Sequence, residues 1–308
     1  MTNDTTQTNP FDDFFQQNLK PLLDEDRKRR DAFRSRFWLY FGVLCFVNSV
    51  NILVVLFRHL MSGHVVSYEQ LLLIVAVSAL FLLWYAGRAK KIPQNNMLAE
   101  YFKYYDNLHL QKEEKIFGQK DVLFPVEDDL LEQLKISGKF PQFMFELKQT
   151  SALKKNSKQN ETLKNSGGIW LSYTFNRSLQ GTLLMFEKGG LAKQKKYEGL
   201  EKISLNIPAS NYFQIFTDSS KIKNYILVSA LFESILDLKE IFKAAKVNLR
   251  IKDNQLDVFL QNGKLGYQET SAWHSIADKK DFENLNSQME KADMLGEVVG
   301  NLYDLAEN

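Results

Sequence analysis

The chain has 308 residues, with 39 lysines and arginines against 37 aspartates and glutamates, so its formal net charge at pH 7 is only +2. This balance excludes the strong basic surplus of a typical nucleic-acid-binding protein, and we expect no nucleic-acid partner. The single cysteine, Cys45, excludes internal disulfides and any zinc site built from cysteines.

Residues 1–36 are predicted to form a cytoplasmic tail and an amphipathic helix. Apolar residues recur at helical spacing from Phe11 onward, and Pro21 predicts a kink or break in that helix. The phenylalanine-rich face has two candidate positions, on the inner leaflet of a membrane or on the folded domain. Asp12 and Asp13 favour the domain, because anionic lipid would repel them.

Residues 37–87 are predicted to form a transmembrane hairpin, because two uncharged stretches, 37–57 and 70–87, lie only 12 residues apart. As helices that rise about 1.5 Å per residue they measure roughly 31 and 27 Å, close to the roughly 30 Å of a hydrocarbon core. The alternative is a buried helical pair in a soluble domain. The 14 Leu, Ile, Phe and Val residues of 37–57 favour insertion by roughly 4 to 8 kcal/mol, which outweighs the cost of two asparagines.

The distribution of positive charge sets the predicted orientation. Six basic residues between positions 27 and 36 precede the first span, and three between positions 88 and 91 follow the second. The intervening loop, 58–69, contains one arginine and no lysine. By the positive-inside rule, both termini face the cytoplasm and the chain crosses the membrane twice.

Small and amide side chains in the first span are predicted to mediate packing of transmembrane helices. Gly42, Cys45 and Ser49 share one helical stripe, and Asn48 and Asn51 lie on a neighbouring face. The alternative is a polar path for an ion or solute through an oligomer. Packing is favoured, because neither span contains a charged residue or a histidine.

Residues 92–137 are predicted to be a stalk-like helical segment. A methionine and tyrosine stripe predicts one helix from Gln94 to about Ile116, and a second helix is predicted for Glu127–Ile136. The carboxylates that begin the second helix are explained by the helix dipole more readily than by catalysis. His109 has no second histidine or acidic pair at ligand spacing, so we predict no metal there.

Residues 138–308 are predicted to form a cytoplasmic α+β domain with a mainly antiparallel sheet and a C-terminal amphipathic helix. The fold class of the whole chain is therefore α+β, with a two-helix transmembrane hairpin in front of this domain. The predicted elements of the domain, in chain order, are a strand at Phe143–Leu147, a hairpin of Ile169–Phe175 with Thr182–Glu187, short strands at Ile203–Ile207, Tyr212–Phe216 and Lys223–Leu227, a helix from Ser229 to Phe242, a hairpin of Val247–Ile251 with Leu256–Leu260 around Asp253 and Asn254, and a helix from Phe282 to Leu302.

Several motifs of this domain resemble a known family. The run GGIWLSYTFNRSLQGTLLMF begins at Gly167, and it is followed by Asn206, Ile207, Pro208 and Tyr212 and by the helix start at Leu227. These features, with the phenylalanine-rich amino-terminal helix and the double span, resemble the bacterial uncharacterised proteins called domain of unknown function 3137. The resemblance implies a membrane-attached cytosolic domain of unknown activity, hence a location in the bacterial inner membrane. It carries over no catalytic residues.

A lysine cluster is the remaining sequence feature that could mark a binding site. Lys188, Lys193, Lys195 and Lys196 surround a Gly-Gly turn, and a solvated loop is the default interpretation. The alternative is contact with anionic lipid, to which each lysine near the surface contributes about 1 kcal/mol.

Three functional hypotheses follow from the sequence. The favoured one is a membrane-anchored interaction or scaffold protein, whose partners are the lipid bilayer, another protein and, as a further option, a second copy of the chain. The second is a component of an oligomeric channel or transporter. The third is an enzyme with an unrecognised site, which has less support because the chain contains no P-loop, dinucleotide-binding, nucleophile-elbow or zincin motif. No cofactor is expected.

Overall fold

The structure is a computed structural model that describes residues 10–62, 68–88, 97–112, 115–117, 130–152, 167–188, 199–203, 212–219, 229–267 and 277–307. The chain divides into two compact units. The first, which we call the helical unit, comprises Met1–Glu100 and Gln268–Asp278. The second, which we call the sheet unit, comprises Tyr101–Tyr267 and Lys279–Asn308.

The helical unit starts with a helix that continues through Pro21 without the break that the sequence predicts. A π-helical turn directly precedes the proline, and the backbone N–H of Lys20 donates to the carbonyl of Phe15, five residues earlier. This wider turn gives the ring room, because a proline ring clashes with the carbonyl four residues before it in a regular helix. The successive segments are α1 (Pro10–Phe14), the π-helical turn (Phe15–Leu19) and α2 (Lys20–Ser62).

α2 packs against α3 (Tyr68–Gly87) as an antiparallel pair. The ring of Phe33 stacks on Tyr85, with 5.0 Å between the ring centroids. Farther along α2, Asn48 Nδ2 donates to Ser78 Oγ at 3.1 Å. The helices are antiparallel because later residues of α2 contact earlier residues of α3.

One helix of the described chain, Pro10–Arg58, is long and apolar enough to cross a membrane. None of its most apolar window is buried inside the structure, which distinguishes it from the core helix of a soluble domain. The apolar part of α3, Leu72–Gly87, is shorter, about 24 Å at 1.5 Å per residue. A hairpin in which both helices cross the membrane therefore stays a prediction.

The segment predicted to be a helical stalk is mainly strand wherever it is described. The helix α4 covers only Met97–Phe102, and the predicted helix at Glu127–Ile136 is wrong, because strand β3 occupies Leu130–Lys139. In β3 buried residues alternate with less buried ones, so that Leu134 and Ile136 are buried on either side of the half-buried Lys135. A short apolar run of this kind fits both the helical and the strand period, and pairing with neighbouring strands makes this segment a strand. The two strands before β3 are β1 (Leu108–Gln111) and β2 (Lys115–Phe117).

Among the residues that the structure describes, eight strands form one antiparallel sheet in the sheet unit, which confirms the predicted α+β class with an antiparallel sheet. The order is β1-β3-β4-β5-β7-β6, with β2 also paired to β3 and β8 also paired to β5. β5 is central because it pairs with β4, β7 and β8. The remaining strands are β4 (Phe143–Ala152), β5 (Gly168–Glu187), β6 (Glu201–Ile203), β7 (Phe213–Thr217) and β8 (Lys246–Gln261).

Both predicted hairpins are wrong, because each is one long strand. β5 continues through residues 178–181 and β8 continues through Asp253, and the two strands pair with each other, with Ile169 opposite Leu260. Their register is irregular where Leu179 lies opposite Asp253, whose φ is 52°. The turn-forming residues therefore bend both strands at the same place instead of reversing the chain.

Two helices confirm their predictions and cover one face of the sheet: α5 (Ser229–Ile241) and α6 (Lys279–Glu307). The hydroxyl of the buried Tyr173 in β5 donates to the carbonyl of Ala292 in α6 at 2.7 Å. Farther along α6, the ring of Tyr303 stacks on Phe175, with 4.7 Å between the ring centroids. The core of the sheet unit lies between these helices and the sheet.

The opposite face of the sheet contains a buried polar cluster. Arg250 and Asp257 of β8 form an ion pair at 2.9 Å, with side chains only 9% and 8% exposed. Ser172 of β5 donates to the same carboxylate at 2.7 Å. Because its members belong to both long strands, the cluster fixes the register of β5 against β8. Within the described ranges, the buried side-chain amide of Asn248 has no hydrogen-bond partner.

Candidate functional site

The structure separates the five residues predicted for transmembrane packing. Asn48 lies between α2 and α3, where it bonds to α3, and Asn51 is half-buried. Gly42, Cys45 and Ser49 are exposed, and Ser49 Oγ donates to the carbonyl of Cys45 within the same helix at 2.8 Å. Asn48 therefore contacts the second helix, whereas the three residues of the small-residue stripe are exposed.

The lysine cluster is only partly visible. Lys188 is exposed directly after β5. Lys193, Lys195 and Lys196 lie outside the described residues, so contact of this cluster with anionic lipid stays a prediction.

The described ranges lack a cluster of candidate metal ligands. They contain no group of three or more His, Cys, Asp or Glu side chains that could hold a metal ion. His109 is exposed on β1, where the sequence had predicted a helix.

Three adjoining cavities in the sheet unit form the strongest candidate for a binding site. They have volumes of about 270, 320 and 280 Å³ and surround the turn between β3 and β4. Phe140 and Asp293 line both the first and the second cavity, and Pro141 and Gln142 line both the second and the third. Together the cavities make one groove between this turn and α6. We call it the acidic groove, and its main lining residues are Tyr105, Phe140, Gln142, Glu290, Asp293 and Glu297.

Two glycines of α6 let the β3–β4 turn approach the helix closely. A Cβ at Gly296 would overlap the ring of Phe143, and a Cβ at Gly300 would lie 2.7 Å from Gln142 Oε1. Phe143 also contacts Tyr173 of β5, with 5.6 Å between the ring centroids. The floor of the groove is therefore fixed by close packing, while its edges stay open.

Three carboxylates line the helical edge of the groove. Glu290, Asp293 and Glu297 follow each other at intervals of three and four residues, which places them on one side of α6. Glu290 accepts a hydrogen bond from Asn286 Nδ2 at 2.6 Å, and Asn286 Oδ1 accepts one from the Tyr105 hydroxyl at 2.5 Å. Asp293 and Glu297 have no hydrogen bond or ion pair to any residue that the structure describes.

The groove changes the acidity of Asp293. Burial, with a smaller contribution from the neighbouring Glu297 carboxylate, raises its pKa from 3.8 to about 6. A cationic partner would stabilise the ionised form of this carboxylate, because a nearby positive charge offsets both the burial and the repulsion from Glu297. Burial likewise raises the pKa of Tyr105 to about 12, so this tyrosine is a neutral hydrogen-bonding group.

The raised pKa makes a prediction about stability and pH. Because the folded state holds the Asp293 proton more tightly than the unfolded state does, this group favours folding below pH 3.8, and that contribution is lost as the pH rises through about 6. We expect Asp293→Asn to be more stable than the parent by about 1 kcal/mol at pH 7.5, after allowance for partial exposure, and equally stable near pH 4. Denaturant titrations at both pH values measure this. Glu233→Gln, an exposed change on α5, is the control, and an equal effect of both variants would contradict the assignment.

Sequence reasoning did not predict this groove. One signal was present, since the stretch from Ala292 to Asn308 contains four acidic residues and no lysine or arginine. The other wall comes from residues 140–145, far away in the sequence, and only the packing of the β3–β4 turn on α6 brings the two together.

Comparison with known proteins gives one family. Residues 165–302 match the model of the family described as "Protein of unknown function (DUF3137)". This confirms the family resemblance that the sequence motifs indicate, over those residues. No curated protein matches the chain.

A solved structure also matches part of the fold. It is the crystal structure of the mycobacterial trehalose monomycolate transport factor A, TtfA, which has 8% sequence identity. The alignment covers 70% of this chain and 93% of that one, with a TM-score of 0.36. A likeness of this degree carries no argument about function.

Proposed function

We propose that this chain, whose residues 165–302 resemble the DUF3137 family, is a membrane-anchored interaction or scaffold protein. In this proposal α2 and α3 cross the bacterial inner membrane as a hairpin, with both termini in the cytoplasm. The hairpin tethers the sheet unit, and the sheet unit binds a protein partner.

The observation that carries the proposal is the exposed apolar surface of α2. Leu39, Phe46, Leu53 and Leu60 expose 62%, 70%, 65% and 81% of their surface. At about 25 cal/mol per Å² of apolar area, a continuous surface of this kind is costly in water and is favourable in hydrocarbon. The exposed side of α3 is similar, with Leu72, Leu80 and Leu83 among its apolar residues.

The bond between Asn48 and Ser78 also bears on the choice of function. A polar path for an ion was the main reason to consider a channel, and this bond between the two helices supports a packing role for Asn48. We therefore favour the scaffold over the channel.

The only cysteine provides a direct test of the membrane anchor. Cys45 is exposed in the structure and lies near the middle of the apolar part of α2. We expect it to resist a hydrophilic maleimide in native membranes and to react after solubilisation and denaturation, because hydrocarbon suppresses the thiolate that such reagents need. Mass spectrometry measures the labelled fraction. Rapid labelling of Cys45 in intact membranes would overturn the anchor.

Two engineered cysteines in a Cys45→Ser background serve as controls and test the topology. Ser35→Cys lies on α2 before the predicted span, and Lys280→Cys lies on α6, both at exposed positions. A hairpin predicts that both label in inverted inner-membrane vesicles and that neither labels in intact spheroplasts. If only α2 crossed the membrane, the two positions would label from opposite sides.

A further inference from the structure

We propose that the acidic groove binds a segment of a partner protein that carries lysine or arginine next to aromatic or large aliphatic side chains. This inference rests on the proposed function, because it names the surface and the partner chemistry through which the interaction occurs.

The negative charge of the groove favours a cationic ligand. Asp293 and Glu297 have no hydrogen bond or ion pair among the described residues, although Asp293 is half-buried between two cavities. No basic residue follows Lys291 along α6, so the helix itself supplies no compensating charge beyond that point. Lys291 forms an ion pair with Asp237 of α5, with 2.6 Å between Nζ and Oδ2. A basic side chain of a partner would neutralise carboxylates that this part of the fold leaves unpaired.

The shape of the groove favours a peptide segment over a compact ligand. Each cavity measures only about 270 to 320 Å³, at the lower limit of the roughly 300 to 1,000 Å³ of pockets that enclose a small molecule. Three such cavities in a row, joined by shared residues, fit successive side chains of one segment. Asp293 and Glu297 lie one helical turn apart, about 6 Å, which matches two basic residues at i and i+4 on a helix or at i and i+2 on a strand.

The lining explains the aromatic or aliphatic part of the partner. Leu108, Phe145 and Met289 form apolar walls of the first cavity beside the ring of Phe140. The rings of Phe140 and Tyr105 are also suitable for cation–π contact with lysine or arginine. Arg177 lines the third cavity at the other end, so the preference for positive charge applies to the two cavities that share Asp293.

The test uses the full chain in lipid nanodiscs and a displayed library of random dodecapeptides. We expect the selected peptides to be enriched in basic residues adjacent to aromatic ones. The enriched peptides, synthesised with a fluorophore, should bind Asp293→Asn/Glu297→Gln at least about tenfold more weakly than the parent, which corresponds to about 1.4 kcal/mol. Both changes are isosteric, and removal of the Asp293 charge is expected to stabilise the fold, so loss of binding does not report unfolding.

The matched control is Glu233→Gln/Glu240→Gln, which changes the net charge equally at two exposed positions of α5. It should bind the same peptides as the parent does. Selection of no peptide, of acidic or neutral peptides, or of peptides whose binding survives Asp293→Asn/Glu297→Gln would overturn the inference.

A parallel experiment in cells separates this inference from the proposed function. A photo-crosslinking amino acid is placed at Gln142 in the groove or at the exposed Leu236 on α5, at native expression. Crosslinks from Gln142 to a basic and aromatic segment, lost in Asp293→Asn/Glu297→Gln, support the inference. If a reproducible partner is crosslinked only from Leu236, the proposed function stands but binding in the acidic groove is contradicted. If no partner is crosslinked from either position, both the proposed function and the groove inference are contradicted.

Discussion

Asp257→Ala is expected to lower the free energy of unfolding of the sheet unit by about 3 to 5 kcal/mol. The change removes the acceptor of the Arg250 ion pair and of the Ser172 hydroxyl, and it leaves the guanidinium buried without its counter-charge. Burial already lowers the pKa of Arg250 from its usual value, and Asp257 is the main group that opposes this effect. Denaturant titration of the full chain in detergent, followed by tryptophan fluorescence, measures the loss.

Two variants test whether the buried charge is the cause. Arg250→Met/Asp257→Leu removes both charges and should recover most of the stability, because a buried ion pair is often no better than a well-packed apolar pair. Asp237→Ala breaks the Lys291 pair, whose side chains are 36% and 49% exposed, and should cost at most about 1 kcal/mol. If Asp257→Ala and Asp237→Ala lowered the free energy of unfolding equally, burial of the Arg250 pair would not be the cause of its contribution to stability.

Gln288→Leu is expected to lower the free energy of unfolding by about 3 kcal/mol, the second largest effect. Gln288 is only 2% exposed, and its side chain joins α6 to the end of α5 and to the segment after β8. Its Oε1 accepts from the backbone N–H of Gly266 at 2.8 Å, and its Nε2 donates to the carbonyls of Ile241 and Lys264 at 3.0 and 2.9 Å. Leucine fills similar space but leaves these three backbone groups unpaired.

The control for Gln288→Leu is Glu283→Leu, which makes the same kind of change at an exposed position of α6. It should alter the free energy of unfolding by no more than about 0.5 kcal/mol. Hydrogen exchange adds a local measurement, since the backbone N–H of Gly266 should exchange faster in Gln288→Leu. Unchanged exchange at Gly266 would mean that the side chain does not hold this segment in solution.

The comparison of β5 with the predicted hairpin shows where sequence reasoning fails. Residues 178–181 and Asp253 have the composition of turns, and local rules correctly detect that the chain departs from a regular strand there. Whether such a departure reverses the chain or only bends it depends on the partner strand. In this fold the two irregularities face each other, with Leu179 opposite Asp253, and each strand continues past the bend.

The segment before the sheet fails for a related reason. The apolar residues of 130–136 fit a helical stripe nearly as well as they fit an alternating one, and the acidic residues before them resemble a helix start. β3 forms because β1, β2 and β4 satisfy its backbone hydrogen bonds on both sides. β4 directly follows β3, but β1 and β2 lie earlier in the chain, and the pattern of residues 130–136 alone does not show that these segments will pair with it.

The sequence by itself determined the long apolar helix, the α+β class, the helices α5 and α6, and the family resemblance of residues 165–302. These features depend on local periodicity and on hydrophobicity, which are readable within one segment. Only the tertiary structure decided the pairing of β5 with β8, the buried ion pair of Arg250 with Asp257, and the acidic groove. The strand pairing and the groove need groups from segments distant in the chain, and the ion pair, although both of its residues belong to β8, is buried only by the packing of the whole unit.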